Sequence, residues 1–276
     1  MRRYLRLCLI CCLLLVGFAY LPSPVAAAPA SSAQQFDQAL RASREGSFTE
    51  ALELWNAVIE RSPQDGAAWS NRGNVRLALG DPEGAIADQS KAMQLAPEVA
   101  DAHLNRGTAE EYLGQWQAAA ADYQWILQRD PNNAPAHYNL GNVEGSLADW
   151  QAARQSFLLA AEVKPGMAMA RSSAALAAFQ LGELAEAELE LRNLIRRYPL
   201  FADARAALTA LLWEKGKAGE AESNWAAASG LDSRYRDFNW LLEVRRWPPL
   251  PVLALQRFLQ LDSGGAPAAL VATTWP

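Results

Sequence analysis

The chain has 276 residues, a formal net charge of −5, and only two histidines and three cysteines. All three cysteines (Cys8, Cys11 and Cys12) lie close to the N-terminus, and basic residues form only short clusters such as Arg196-Arg197 and Arg245-Arg246, which we expect at solvated helix ends. Because DNA and RNA are bound by clustered Lys and Arg, this acidic chain is not expected to bind nucleic acid. The composition also argues against a disulfide-stabilised domain.

Residues 1–30 have the three regions of a secretory signal peptide. A basic start is followed by an apolar run from Leu7 to Leu21 and by small residues ending in Ala28-Pro29-Ala30. We expect cleavage after Ala30, although an uncleaved membrane anchor is the alternative, because the apolar run is near the lower length of a spanning helix. Both alternatives, the cleaved signal peptide and the membrane anchor, predict that the rest of the chain lies outside the cytoplasm. Removal of residues 1–30 would change the net charge from −5 to −8, since they carry three arginines and no acid.

Most of the remaining chain repeats with a period of 34 residues. The period is carried by small residues and prolines: Ala51, Ala85, Ala119, Ala153, Ala187 and Ala221; Gly46, Gly80, Gly114, Gly182 and Gly216, interrupted at Ala148; and Pro63, Pro97, Pro131, Pro165 and Pro199. Such a period indicates an array of small helical units that stack on one another rather than one large core.

Residues 100–133 show how one unit folds. Gly114 is expected to end a first helix, because glycine adopts the left-handed conformation that lets the chain reverse. Trp116, Ala119, Tyr123, Ile126 and Leu127 then follow at the spacing of one apolar helix face. Pro131 stops this second helix by Asp130, and Asn132 or Asn133 can cap the next one, as Asp81 and Pro82 can in the preceding unit.

Glycines also occupy the middle of three first helices, where they should cost about 1 kcal/mol relative to alanine. They are Gly73, Gly107 and Gly141, and the equivalent sites elsewhere hold Ala39 and Ala175. We expect a close approach of the partner helix there, with the periodic alanine at the crossing.

These motifs, including Trp69-Ser-Asn-Arg-Gly-Asn and His137-Tyr-Asn-Leu-Gly-Asn, resemble the tetratricopeptide repeat (TPR) family. The resemblance implies an all-α, right-handed solenoid of six helix-turn-helix repeats, with atypical first and last repeats. The predicted repeats are residues 32–65, 66–99, 100–133, 134–167, 168–201 and 202–235. A degenerate seventh repeat or C-terminal cap is expected over 236–262, with Phe238, Leu241 and Leu242 on one helix and Ala254, Leu255, Phe258 and Leu259 on the other. A flexible tail is expected over 263–276.

Nothing in the repeats predicts catalysis. His103 and His137 stand one repeat apart, which is too far for one metal ion, and we expect both to pack between helices. Acidic pairs such as Glu110-Glu111 are expected on solvated helix faces, as are Glu186, Glu188 and Glu190. The sequence therefore predicts no enzyme, no catalytic residue, no metal site and no cofactor.

The first helices of a solenoid of paired helices line a concave groove suited to peptides and protein segments. Spaced asparagine amides there can hydrogen-bond an extended backbone, and aromatic residues could make the C-terminal half of the groove apolar. The predicted binding residues are Asn71, Asn74, Asn105, Asn139, Asn142, Tyr112, Tyr138, Phe179 and Trp213. The alternative for Phe179 and Trp213 is packing between repeats. A chaperone-type carboxylate clamp is not expected, because its matching positions carry Ser70, Asp101, Leu104 and Asn105.

The segment from Trp247 to Pro251 departs from the repeat pattern. Its prolines favour either a polyproline II ligand or a rigid turn before the last helix. With the Trp- and Gln-rich composition, this segment resembles exported TPR proteins of cyanobacteria and of the chloroplast lumen, which implies a thylakoid lumen or a periplasm. We therefore predict a non-catalytic scaffold or assembly factor that holds a client protein. The alternatives are an accessory subunit or regulator of an exported enzyme and a self-associating structural protein.

Overall fold

The computed structural model describes residues 32–262, with side chains up to residue 260. The predicted signal peptide, its cleavage site after Ala30 and the tail at 263–276 lie outside the described residues. Between residues 32 and 262 no helix combines the length and the apolar character needed to cross a membrane.

The described residues form helices joined by short turns, without a strand, which confirms the all-α TPR solenoid. Each repeat is a pair of antiparallel neighbours. The first helices are α1 (Ser32–Arg44), α3 (Gly66–Ala78), α5 (Ala100–Tyr112), α7 (Ala134–Ser146), α9 (Ala168–Gln180) and α11 (Ala202–Glu214). The second helices are α2 (Phe48–Arg61), α4 (Pro82–Leu95), α6 (Trp116–Arg129), α8 (Trp150–Val163), α10 (Leu184–Arg197) and α12 (Ala218–Leu231). Each helix packs against the helices before and after it in the chain.

The reversal between the two helices of a repeat requires a left-handed residue. The five periodic glycines adopt φ between 70° and 81°, and Ala148 adopts φ of 62° in the one turn that lacks glycine. Because Cβ crowds the backbone in this conformation, Ala148 is the strained member of the series. The solenoid keeps its geometry in that repeat despite the missing glycine.

The predicted helix caps are present. The Asp81 carboxylate accepts a hydrogen bond from the Gly84 amide at 2.9 Å, with Pro82 in the first turn, and the Asn133 side chain accepts one from the Ala136 amide at 3.0 Å. Helix α6 ends at Arg129, one residue before Asp130. Local capping chemistry therefore sets the helix boundaries that the sequence predicts.

The glycines in the middle of the first helices lie at close helix contacts, as expected. A Cβ added to Gly107 would come within 2.7 Å of the Tyr123 ring, and one added to Gly141 within 2.7 Å of the Phe157 ring, so at these two sites a large side chain and not the periodic alanine lies nearest. At Gly73 the nearest atoms include the carbonyl oxygen of the periodic Ala85 at 3.2 Å. Ala119 and Ala153 are fully buried nearby in the same clusters.

The C-terminal residues have a different arrangement from two helices stacked as a further repeat. A 3₁₀-helix (Ser233–Arg236) and a π-helical turn (Trp240–Val244) lead into α13 (Pro249–Asp262). Helix α13 packs against α11 and α9, the first helices of the sixth and fifth repeats. Residues 240–262, here called the strap, therefore fold back along the inner side of the solenoid.

Candidate functional site: the inner groove

The inner groove is the surface formed by the first helices, and its two ends differ. In the fifth and sixth repeats the strap covers it. Phe179 is 4% exposed there, and the Trp213 ring lies 5.7 Å from the Phe258 ring of α13. Both predicted binding residues thus pack in the hydrophobic core that joins α9, α11 and α13. The inner faces of α1, α3, α5 and α7, here called the open groove, make no extensive contact with α13.

The strap is anchored at Asp203 in the first turn of α11. The Asp203 carboxylate, which is 1% exposed, accepts hydrogen bonds from the Arg245 guanidinium at 2.7 and 3.0 Å and from the Trp247 indole at 3.1 Å. Tyr235 and Ser172 donate to the same carboxylate at 2.9 and 2.6 Å. Burial alone would raise the pKa of Asp203, but the Arg245 charge and these donors hold it below its usual range.

A second contact joins the strap to the third repeat. The Arg246 guanidinium donates to Glu111 on α5 and lies 5.4 Å from the centre of the Trp116 ring. The Tyr123 hydroxyl donates to the other Glu111 oxygen. Burial raises the pKa of Glu111, while the Arg246 charge and the Tyr123 hydrogen bond partly offset this effect. Arg246 has φ of 54°, a conformation that non-glycine residues rarely adopt.

A cavity of about 280 Å³ lies where the strap meets the open groove. We call it the junction cavity. Three of the predicted binding residues, Tyr138, Asn139 and Asn142, line it from α7. The other lining residues are Thr108 and Glu111 from α5 and Val244, Arg245 and Arg246 from the strap. The cavity therefore combines amide, hydroxyl and guanidinium groups at the closed end of the open groove.

The other predicted residues are distributed along the open groove. Asn71 donates to the Ala67 carbonyl of its own helix at 2.9 Å, and Asn105 lies 3.5 Å from the Ser70 hydroxyl. Asn74 is exposed and accepts from the Gln89 amide at 2.9 Å. Tyr112 is 69% exposed at the end of α5. The asparagine series thus lies partly within the helical frame and partly at the surface.

The expectation that the acidic pair of α5 is solvated is wrong. Glu110 and Glu111 are 6% and 7% exposed, because α6 and the strap cover them. Arg245, expected at a solvated helix end, is likewise enclosed, with 13% of its side chain exposed. Sequence reasoning found these residues but did not pair Glu111 with Arg246, which follows 135 residues later.

Glu188 on α10 also differs from the solvated residue that the sequence predicts. Its side chain is mostly buried and accepts hydrogen bonds from Lys215, Lys217 and Arg192. These hydrogen bonds, led by that from Lys215, lower the pKa of Glu188 to about 2 against the effect of burial. Glu188 therefore joins the fifth repeat to the sixth as an ionised carboxylate.

The two histidines pack as expected. His103 contacts Asp122 at 2.8 Å and stacks on the Trp125 ring at 3.6 Å, while His137 contacts the Pro131 carbonyl at 2.9 Å. Within residues 32–262 no group of three potential metal-binding side chains comes together.

The sequence itself matches the family model of the tetratricopeptide repeat at residues 36–100, 104–170 and 136–200, which together extend over more than half of the chain. The chain belongs to the tetratricopeptide repeat family. TPR proteins are generally non-catalytic scaffolds for protein–protein interaction. A search of curated protein sequences returned no match.

Solved structures show the same fold. A tetratricopeptide repeat protein from Parabacteroides merdae is 18% identical, with 82% of this chain and 98% of that chain covered and a TM-score of 0.61. The Cut9–Hcn1 assembly of the APC/C is 16% identical, with 83% and 43% covered and a TM-score of 0.65. YrrB, described as a TPR protein with an unusual peptide-binding site, is 20% identical, with 74% and 97% covered and a TM-score of 0.54.

Proposed function

We propose that this TPR protein is a non-catalytic scaffold or assembly factor that holds an extended segment of a client protein in the open groove. The observation that carries the proposal is the division of the inner groove. Its fifth and sixth repeats already hold a segment of polypeptide, the strap, and its first four repeats present amides, hydroxyls and the exposed Tyr112 ring instead. Amide side chains can hydrogen-bond a peptide backbone without reading its sequence.

We further propose that the protein works outside the cytoplasm, in a periplasm or a thylakoid lumen. The support is the sequence of residues 1–30, with its basic start, its apolar run and the small residues that end at Ala30. If the signal is cleaved after Ala30, the mature chain begins at Ser31 and no membrane contact is required. If the signal is kept, the solenoid is tethered to the outer side of the membrane.

The self-associating alternative depends on an apolar C-terminal unit that makes a dimer. Leu241, Leu255 and Phe258 of that unit are buried against the fifth and sixth repeats. We therefore favour the scaffold. Light scattering at several concentrations separates the two functions, since the scaffold is expected to remain a monomer. The regulator of an exported enzyme is distinguished by co-purification of an active enzyme.

The groove is tested by affinity purification from the exported fraction of the source cells. The variant Asn71→Ala with Asn105→Ala and Asn139→Ala should lose its co-purifying partners. Asn224→Ala is the matched control, because Asn224 donates to the carbonyl four residues before it at 2.9 Å, as Asn71 does, but lies on a second helix. If the triple variant keeps the same partners as the unmodified protein, the groove is not the binding site.

A further inference from the structure

Two consecutive arginines of the strap are held in different ways. Two nitrogens of Arg245 donate to the fully buried Asp203 carboxylate, and the Trp247 indole shares that carboxylate. Arg246 donates to Glu111 through one nitrogen, Nη1, and 26% of its side chain is exposed beside the junction cavity. Since a guanidinium has five N–H donors, Arg246 retains hydrogen-bonding capacity on its exposed side. Arg245 is therefore an anchor, and Arg246 is a contact that a ligand can reach.

Glu111 can lose Arg246 without becoming an isolated buried charge. Its Oε1 accepts from the Tyr123 hydroxyl, a contact that does not involve the strap. Burial raises the pKa of Glu111, which favours the uncharged form of this carboxyl. Both features lower the cost of separating Arg246 from Glu111.

The junction cavity is lined by more positive than negative groups. Two guanidinium groups, the amides of Asn139 and Asn142 and the Tyr138 hydroxyl line it, whereas Glu111 is its single carboxylate. The Thr108 hydroxyl already donates to the Leu104 carbonyl. Both oxygens of Glu111 are already bonded, to Tyr123 and to Arg246. A cationic group of a ligand would find no unpaired carboxylate among these lining residues. A carboxylate would find amide and guanidinium donors around it, and hydrogen bonds between charged groups are the stronger ones.

We propose that Arg246 is a specificity-determining residue that is shared between Glu111 and the client. In the empty groove Arg246 pairs with Glu111. When a client crosses the junction cavity, an Asp or Glu side chain of the client replaces Glu111 as the partner of Arg246. The inference rests on the proposed function, since it needs a client in the open groove. It predicts opposite effects for the two partners of one ion pair. Loss of Arg246 removes the group that binds the client carboxylate. Loss of the Glu111 charge removes the carboxylate that competes with the client for Arg246.

The probe is a random library of 12-residue peptides displayed at the N-terminus of a phage coat protein, so that no peptide has a free C-terminal carboxylate. Binders of the unmodified protein are selected at pH 7, and the tightest is remade with its acidic residue changed to the amide. We expect Arg246→Gln to weaken the acidic peptide about tenfold and Glu111→Gln to tighten it severalfold. The amide peptide should bind the unmodified protein, Arg246→Gln and Glu111→Gln with the same affinity. Arg257→Gln and Glu214→Gln are control variants that break an exposed ion pair of 3.2 Å between the strap and α11. They should leave the affinity for both peptides unchanged.

Two results would overturn the inference. One is selection of groove-binding peptides with no acidic preference, and the other is weaker binding of the acidic peptide to Glu111→Gln. The second result is informative even if Arg246→Gln folds poorly, because Glu111→Gln keeps the side-chain shape. Hydrogen exchange shows where the selected peptides bind. If they protect surfaces other than the open groove, the proposed function fails first, and the role of Arg246 fails with it.

Discussion

The open groove and the strap-covered groove are built on the same 34-residue frame but carry different inner side chains. In the fifth and sixth repeats, α9 and α11 present residues such as Leu176, Phe179 and Ala210 to α13, and all are buried. In the second to fourth repeats the corresponding surface carries Asn74, Thr108 and other polar residues. The frame is common to both regions. The inner residues decide whether a repeat is covered by a helix of its own chain or keeps a polar surface that another protein chain can bind.

The largest expected effect is at the contact between the strap and the covered groove. Phe258→Ala should lower the free energy of unfolding by about 4 kcal/mol, because the ring packs against Trp213 and Trp225 and its removal leaves a cavity. Tyr112→Ala in the open groove should change it by less than about 0.5 kcal/mol, since that ring is exposed. Urea denaturation followed by circular dichroism measures both. Equal losses would mean that the strap does not distinguish the two regions.

A smaller effect is expected at the anchor of the strap. Asp203→Asn should cost about 3 kcal/mol, because it leaves the enclosed Arg245 guanidinium without its counter-charge. Asp101→Asn is the matched control, since Asp101 occupies the same position in the third repeat and is exposed. In thermal unfolding, Asp203→Asn should lower the melting temperature clearly and Asp101→Asn should not. A loss at position 101 as large as that at 203 would contradict the anchor.

In the third repeat, the stability of the fold is expected to depend on pH through Glu110. Burial, followed by the Asp122 charge, raises the pKa of Glu110 to about 7, although Arg106 opposes the shift. Because the pKa is higher in the folded protein than in the unfolded chain, ionisation of Glu110 removes stability as the pH rises from about 4.5 to about 7. After allowance for solvent screening, Glu110→Gln should be more stable than the unmodified protein by about 2 kcal/mol at pH 8 and similar to it at pH 4. Denaturation at both pH values tests this, and a pH-independent difference would refute it.

The smallest effect is expected at the turn between α7 and α8. Ala148→Gly should stabilise the fourth repeat by about 1 kcal/mol, because φ of 62° strains alanine and not glycine. Gly182→Ala in the next repeat is the converse change and should destabilise by a similar amount. Melting temperatures that move in the same direction for both variants would show that backbone strain is not the cause.

Local rules predicted the repeats, and long-range contacts explain what they missed. The period, the glycine turns and caps such as Asp81 each depend on a few neighbouring residues, so the sequence indicates them directly. The path of the strap depends on contacts such as Arg246 with Glu111, which no spacing rule connects. The departure of Trp247 to Pro251 from the pattern was a usable signal that this segment has another role. It did not indicate that Glu111 and Asp203 would receive the two arginines.

Hydrogen–deuterium exchange of the protein, alone and saturated with a selected peptide, tests the division of the inner groove most directly. We expect added protection on α1, α3, α5 and α7, with α9, α11 and α13 protected to the same extent in both samples. Loss of protection on α13 together with new protection on α9 and α11 would show that the client displaces the strap, which would contradict a groove divided between an open and a permanently covered part.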